Sequence, residues 1–277
     1  MEVPEPPHDG QPRIITRTDR YLVAWKPAGM HSAPPGNTSP SLPVSAETNL
    51  ADWLFAQIPG ACAVRGRKPG EGGLMHRLDR DTRGLVLFAL DNDAFRALDV
   101  AASGGSFRKR YRLTTDVDGS GLAGSRPLLA SPMASLADRW KKGLAGSDAT
   151  SLASMLAGVT IESRFRPFGP GGRRVACARA DDPVALRGAA GSGKAWTRET
   201  YCTVVSSVTA DGGRIDAEVE LSRGFRHQIR AQFAWMGLPL VGDGLYGEAE
   251  GEFSLVAFRL DFPDPESGEQ ILVSLTC

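Results

Sequence analysis

Apolar runs broken by glycine and proline set the pattern of this chain. Tyr21-Leu22-Val23-Ala24-Trp25 is a continuous apolar run of the kind a buried strand shows, and Pro27 and Gly29 force a turn after it. Leu50, Trp53, Leu54 and Ile58 recur at helical spacing behind Asn49, a good N-cap, and Pro59-Gly60 stops the run. Leu85 to Leu90 is a second buried-strand run. A helix starting at Asp91 or Asn92 then passes through Phe95, Leu98 and Val100 to Gly104-Gly105. From Arg108 to Val117 the pattern alternates, with Tyr111 and Leu113 pointing one way and Arg110 and Arg112 the other.

Beyond residue 160 the periods shorten. Arg164 to Val175 reads as a hairpin around Gly169-Pro170-Gly171-Gly172, its arginines well placed to grip a nucleic-acid backbone. Thr200 to Val208 and Ile215 to Leu221 are strands joined at Asp211-Gly212-Gly213. His227 to Trp235 is a helix with Ile229, Phe233 and Met236 on one face, and Arg230 lies three residues from His227 on a shared side. Leu255 to Phe262 and Ile271 to Leu275 close the sheet. Many short strands with hairpin turns and few helices between them predict an α+β fold on a mostly antiparallel, bent sheet.

Other stretches carry less pattern. Residues 1–12 are acidic and rich in proline, so a disordered lead-in is expected there. Pro34, Pro35, Pro40 and Pro43 make a loop of His31 to Glu47. Residues 119–160 are rich in Ala, Ser, Gly and Leu, with helical patches at Leu136 to Trp140 and Ser151 to Leu156. Gly188 to Ala195 nearly matches a phosphate-binding P-loop, but Ala195 stands where Ser or Thr would hold magnesium. That segment is read as a flexible loop and nucleotide hydrolysis is rejected.

The 277 residues allow one large domain or two small ones. Lys plus Arg and Asp plus Glu number 32 each, so net charge gives no sign of a nucleic-acid partner. Distribution says more: arginines and lysines gather at 65–68, 77–83, 108–112, 164–174 and 223–230, and a fold that brought them together would make a phosphate-binding groove. Cys62, Cys177, Cys202 and Cys277 lie far apart without metal-ligand spacing, as in a reduced, intracellular protein. With no long apolar segment and no signal-like start, a cytoplasmic location without membrane association is expected.

The chemistry concentrates at Gly73 to Asp81, a polar turn leading into the apolar run at Leu85. His76, Arg77, Asp79, Arg80, Asp81 and Arg83 place two carboxylates among three guanidiniums. Nearby positive charge favours the ionised carboxylate, which suits a nucleophile or a base better than a proton donor. A solvated salt-bridge turn would read the same way.

Several segments, in order, resemble the RluA-type family of RNA pseudouridine synthases. Lys26-Pro27-Ala28-Gly29-Met30 is similar to its first motif, and His76-Arg77-Leu78-Asp79 with Asp81-Thr82 and Gly84-Leu85 to its second. Lys109-Arg110-Tyr111 resembles the segment that supplies an active-site tyrosine. Gly224-Phe225-Arg226-His227-Gln228-Ile229-Arg230 and then Val241-Gly242-Asp243-Gly244-Leu245-Tyr246-Gly247 resemble the third motif and its sequel. Arg83 stands where relatives often have Ser, and Phe225-Arg226 where many have Arg-Thr.

The resemblance implies a catalytic domain over 13–277, a bent mixed sheet with flanking helices, interrupted by an insertion at about 119–160. It implies isomerisation of a uridine in tRNA or ribosomal RNA by a monomer needing neither metal nor cofactor. Asp79 would be the catalytic carboxylate, Arg230 its partner and Tyr111 the ring against the base, while His76, Arg77, Arg80, Lys109, Arg226 and His227 would bind substrate. The competing expectation is an RNA-binding or RNA-chaperone protein of the same fold that lacks turnover.

Overall fold

A computed structural model of the chain describes residues 1–6, 8–34, 49–115, 149–187, 195–211, 213–247 and 249–276. In chain order the strands are β1 (Glu2–Pro4), β2 (Arg13–Arg17), β3 (Tyr21–Lys26), β4 (Arg83–Ala89), β5 (Arg108–Thr115), β6 (Thr160–Phe168), β7 (Arg174–Ala178), β8 (Tyr201–Asp211), β9 (Arg214–Leu221), β10 (Val256–Pro263) and β11 (Gln270–Thr276). The helices are α1 (Leu50–Gln57), α2 (Asn92–Ser103), α3 (Ala149–Leu156), α4 (Pro183–Arg187) and α5 (Gln228–Trp235). The fold is α+β on mixed sheet, as the strand pattern predicts. The chain divides into two compact units, Met1–Arg110 with Val256–Cys277, and Tyr111–Leu255.

The first unit is built on the two apolar runs. β3 and β4 pair antiparallel from Tyr21↔Ala89 to Lys26↔Gly84, and both are buried along their length, which is why neither alternates in sequence. β2 pairs antiparallel with β3, β4 runs parallel to β10, and β10 is antiparallel to β11. One face buries Tyr21, Val23, Trp25, Leu85, Leu87, Phe258, Leu260 and Phe262, together with Phe95 and Leu98 of α2. Each large side chain removed from water there contributes roughly 1.5–3 kcal/mol. Asp91 caps α2 by accepting from Asp93 N and Ala94 N at 2.9 Å each, and Val100 faces solvent. Asn49 caps α1 as its position predicts, accepting from Asp52 N at 3.0 Å, whereas Trp53, at the same helical spacing as buried Leu50 and Leu54, is only half-buried.

The lead-in departs from its composition. Glu2–Pro4 forms a strand parallel to Ser274–Thr276, and Ser274 N donates to Met1 O at 2.9 Å. The edge of β11 offers unpaired backbone groups, and pairing them satisfies a segment whose side chains alone would leave it unfolded.

The second unit carries the hairpins. β8 and β9 pair antiparallel around the Asp211 turn, β6 pairs antiparallel with both β8 and β7, and β5 neighbours β9. Gly169 (φ 74°) and Gly171 (φ 61°) make the β6–β7 turn in a backbone region that favours glycine. Every residue of α5 is buried, so its weak amphipathicity reflects burial all round. Gln232, in its middle, donates from Nε2 to Ile161 O, Ser163 Oγ and Tyr201 O and accepts from Thr203 Oγ1, which locks α5 to β6 and β8. Part of the expected insertion forms α3. The Leu136 to Trp140 patch and Gly188 to Lys194 lie outside the described residues.

Candidate active site

In the first unit the central loop is held by backbone before any side chain acts. Ala89 N donates to Gly73 O at 2.8 Å and Met75 N to Leu87 O at 3.0 Å, so the segment enters along β4. A Cβ at Gly73 would lie 1.9 Å from Ala89 O, and only glycine permits that approach. The loop then turns through Asp79, closing with Thr82 N to Asp79 O at 3.2 Å.

Two residues from the first motif and the turn after it hold the backbone on either side of Asp79. Ser32 Oγ donates to Leu78 O at 3.0 Å and accepts from Leu78 N at 2.9 Å. Lys26 Nζ donates to Arg80 O at 3.0 Å, Met30 O at 2.7 Å and Pro27 O at 2.8 Å. Lys26 is fully buried, because three carbonyls take the place of water around its ammonium. Burial pulls its pKa down to about 7, against the carboxylates of Asp79 and Asp81, which raise it. Ser32 does not stand out in sequence as anything but an ordinary polar residue.

The substrate-binding candidates of this unit separate. Arg77 and Arg80 are exposed, with Arg77 3.6 Å from buried Glu71. His76 turns inward: its Nε2 accepts from Leu87 N at 3.3 Å, its ring meets Phe107 edge-on at 5.3 Å, and Nδ1 is buried without a partner among the described residues. Burial, then Lys109 and Arg67, depress its pKa well below the usual imidazole value, so the ring is neutral. Lys109 is also buried, its ammonium 4.8 Å from the Phe107 ring centre, and burial lowers its pKa to about 8. The alternation of β5 holds, with Lys109, Tyr111 and Leu113 on the buried face.

In the second unit the third motif forms around α5. Arg230 donates from Nε to Asp243 Oδ2 at 2.8 Å and from Nη2 to Asp243 Oδ1 at 2.6 Å, a bidentate pair with both partners buried. Asp243 Oδ1 also accepts from Leu245 N at 3.0 Å and Tyr246 N at 3.3 Å. The guanidinium lies 4.9 Å from the Phe253 ring and 5.5 Å from that of Tyr246. Asp243, not among the sequence candidates beyond its motif, is thus what orients Arg230 within this unit.

His227 corrects the helical-spacing argument. It lies outside α5 in the left-handed region (φ 56°), so it does not share a helix side with Arg230. The two instead converge on Tyr246, whose hydroxyl bonds His227 Nδ1 at 2.9 Å and accepts from Val175 N at 2.8 Å. Arg226 is committed to backbone, donating to Gly172 O at 2.6 Å and Arg174 O at 3.1 Å. Phe225 stacks on Phe165 with ring centres 4.8 Å apart, so this departure from the common motif is matched by an aromatic partner on β6.

Comparison with known proteins places these elements in context. A family model described as RNA pseudouridylate synthase matches residues 20–235. An uncharacterized RNA pseudouridine synthase of Aquifex aeolicus (strain VF5) is 24% identical over 99% of this chain and 74% of its own length. One from Bacillus subtilis (strain 168) is 26% identical over 87% of this chain, which spans only 59% of that relative. The solved structures of human RNA Pseudouridylate Synthase Domain Containing 1 and 4 share the fold, with TM-scores of 0.56 and 0.57 at 19% and 15% identity. They cover 99% and 95% of this chain, and it covers 86% and 88% of theirs.

Proposed function

The chain belongs to the RNA pseudouridylate synthase family, and from that premise we propose that it converts a specific uridine of tRNA or ribosomal RNA to pseudouridine with Asp79 as the catalytic carboxylate. The observation that carries this reading is the bracing of Asp79 by Ser32 at Leu78 and by Lys26 at Arg80. Fixing the backbone on both sides orients the carboxylate before substrate arrives, which lowers the entropic part of the barrier.

The reaction is an isomerisation. The bond between N1 and C1′ breaks, the uracil turns, and a bond between C5 and C1′ forms; N1 gains a proton and C5 loses one, so no electrons are exchanged. A uridine within folded RNA must first be swung out, at a cost of a few kcal/mol. Exposed Arg77 and Arg80 beside Asp79 would offset that cost through phosphate contacts. Tyr111 and Arg230 support the chemistry, the phenol as a surface for the base and the guanidinium as a fixed positive charge held by Asp243.

RNA carrying tritium at uridine C5 tests the proposal. The protein should release tritium to water from a tRNA or ribosomal RNA, and Asp79→Ala should release none. Release by Asp79→Ala at the parental rate would remove Asp79 from the chemistry. RNA binding without release from any cellular RNA would favour the RNA-chaperone alternative.

A further inference from the structure

We propose that β1 is a clamp on the Asp79 loop, with Glu5 and Arg83 as the positioning pair through which it acts. This inference rests on the reading of Asp79 as the catalytic carboxylate and concerns two residues which that reading does not use.

The sheet brings the clamp to the loop end of β4. Pro4 lies opposite Thr276 and Arg259 opposite Ser274, so Thr276 comes level with Ala257, two residues before Arg259 on β10. Ala257 is opposite Gly84, and Gly84 opposite Lys26. One row across β1, β11, β10, β4 and β3 thus runs from Pro4 to Lys26, whose ammonium holds Arg80 O at 3.0 Å. Glu5, one residue beyond this row on β1, and Arg83, one residue before it on β4, both lie on its loop side. Their side chains meet across the strands between them: Arg83 Nε donates to Glu5 Oε1 at 3.3 Å.

Backbone and packing fix the clamp before that bond forms. Glu5 N donates to Thr276 O at 3.1 Å, Ser274 N to Met1 O at 2.9 Å and Thr276 Oγ1 to Val3 O at 3.3 Å. Val3 packs against the core and Pro6 is buried, so Glu5 is aimed from a held strand. His8 Nε2 donates to the same carboxylate oxygen at 3.0 Å, which steadies it from the solvent side. The Arg83 and Glu5 side chains are 15% and 24% exposed, and salt screens such a pair less than a surface one.

What the pair fixes is the exit of the loop. Thr82 N donates to Asp79 O at 3.2 Å, and Arg83 follows at once as the first residue of β4. Lys26 holds the loop from the β3 side of β4, whereas Glu5 reaches its exit from the β10 side. The turn that carries Asp79 is therefore gripped from both flanks. A serine at 83, the residue of many relatives, could not span that distance; the longer arginine is matched by a carboxylate on β1. A turn held at both ends samples fewer misaligned positions of its carboxylate, and alignment is what a positioned reacting group contributes to rate.

Two measurements on the full chain test this. Residue-resolved hydrogen exchange should show the Thr82 amide of Glu5→Ala and of Arg83→Ser exchanging about threefold faster or more, while the Val23 amide in the core of β3 keeps its parental rate. At saturating RNA, kcat for tritium release should fall about three- to fivefold in each variant, the factor a partly exposed ion pair supplies, with KM unchanged. The double variant should fall no further than either single one, because both remove the same bond. Arg83→Lys, which keeps a cation for Glu5, should retain more than half of the parental kcat. Parental exchange at Thr82 in both single variants would overturn the clamp, as would losses that multiply in the double variant. A KM raised by Arg83→Ser and lowered by Glu5→Ala would also overturn it, since that is the signature of a guanidinium binding phosphate itself. The two readings fail separately. A parent that releases no tritium refutes the isomerase, and faster Thr82 exchange in the variants then leaves the clamp standing. Release at the parental kcat in both variants refutes the clamp alone.

Discussion

Arg230 and Asp243 face one another as a two-bond ion pair, at 2.8 and 2.6 Å, buried beneath Phe253 and Tyr246. Asp243 takes one of these bonds on each carboxylate oxygen, and two backbone amides complete its shell. Asp243→Ala would leave a buried guanidinium without that compensation, and should cost about 3–5 kcal/mol in urea unfolding. Tritium release should fall with it, at a temperature where the variant remains folded.

Gly84 pairs with Ala257 where β4 runs parallel to β10. Its φ is 137°, and a Cβ there would meet Ala257 O at 2.4 Å and Ala257 N at 2.6 Å. Gly84→Ala should therefore part the two strands and cost on the order of 3 kcal/mol or more, seen as a lower melting temperature. Gly10→Ala, with a φ of 72° and open space around it, should be much milder.

Lys26→Met removes one ammonium and leaves the carbonyls of Pro27, Met30 and Arg80 without their donor. Unfolding experiments should show a loss of about 2–4 kcal/mol. If the lysine also positions the Asp79 loop, tritium release per folded molecule should drop further than Ser32→Ala lowers it, since Ser32 holds the loop on the other side through one hydroxyl.

Stability should rise from pH 6 to about pH 9. Lys26 and Lys109, with pKa values lowered to about 7 and about 8, bind fewer protons folded than unfolded from those values up to the ordinary lysine pKa, and His76, lowered well below its usual value, does so at the acidic end of the range. Stability grows with pH wherever the unfolded chain holds more protons, by up to ~1.4 kcal/mol per pH unit for each group inside its own window. Above the ordinary thiol pKa the sign reverses at Cys177, whose thiol burial pushes up: the unfolded chain then loses a proton that the folded one keeps. Urea midpoints at pH 6, 7.5 and 9 should climb, and the further gain to pH 10.5 should be smaller than the two lysines alone would give because Cys177 opposes them.

Much of the fold was legible because burial and turns write directly into residue type. The runs at Tyr21 and Leu85, the caps Asn49 and Asp91, and the glycine turns after Phe168 and Asp211 all lie where their chemistry predicts. The departures have a common cause. Glu2–Pro4 became a strand because β11 had an open edge, and Lys26 became buried because three carbonyls from distant turns converge on it. His227 left the helix side it would share with Arg230 by adopting a left-handed backbone. None of these depends on local composition.

What the sequence by itself determined is the α+β pattern, the position of the acid-bearing loop at the head of a buried strand, and the family to which its motifs point. Tertiary structure alone decided which charges are spent and which are left over. Arg230 is fixed by Asp243, Lys26 by backbone oxygens and Arg226 by a hairpin turn, while Arg164, Arg166 and Arg174 retain charge no carboxylate among the described residues takes up. The physical reason is range: propensity and periodicity act over a turn of chain, whereas a partner for a charge is chosen by whichever distant segment packing brings within about 3 Å.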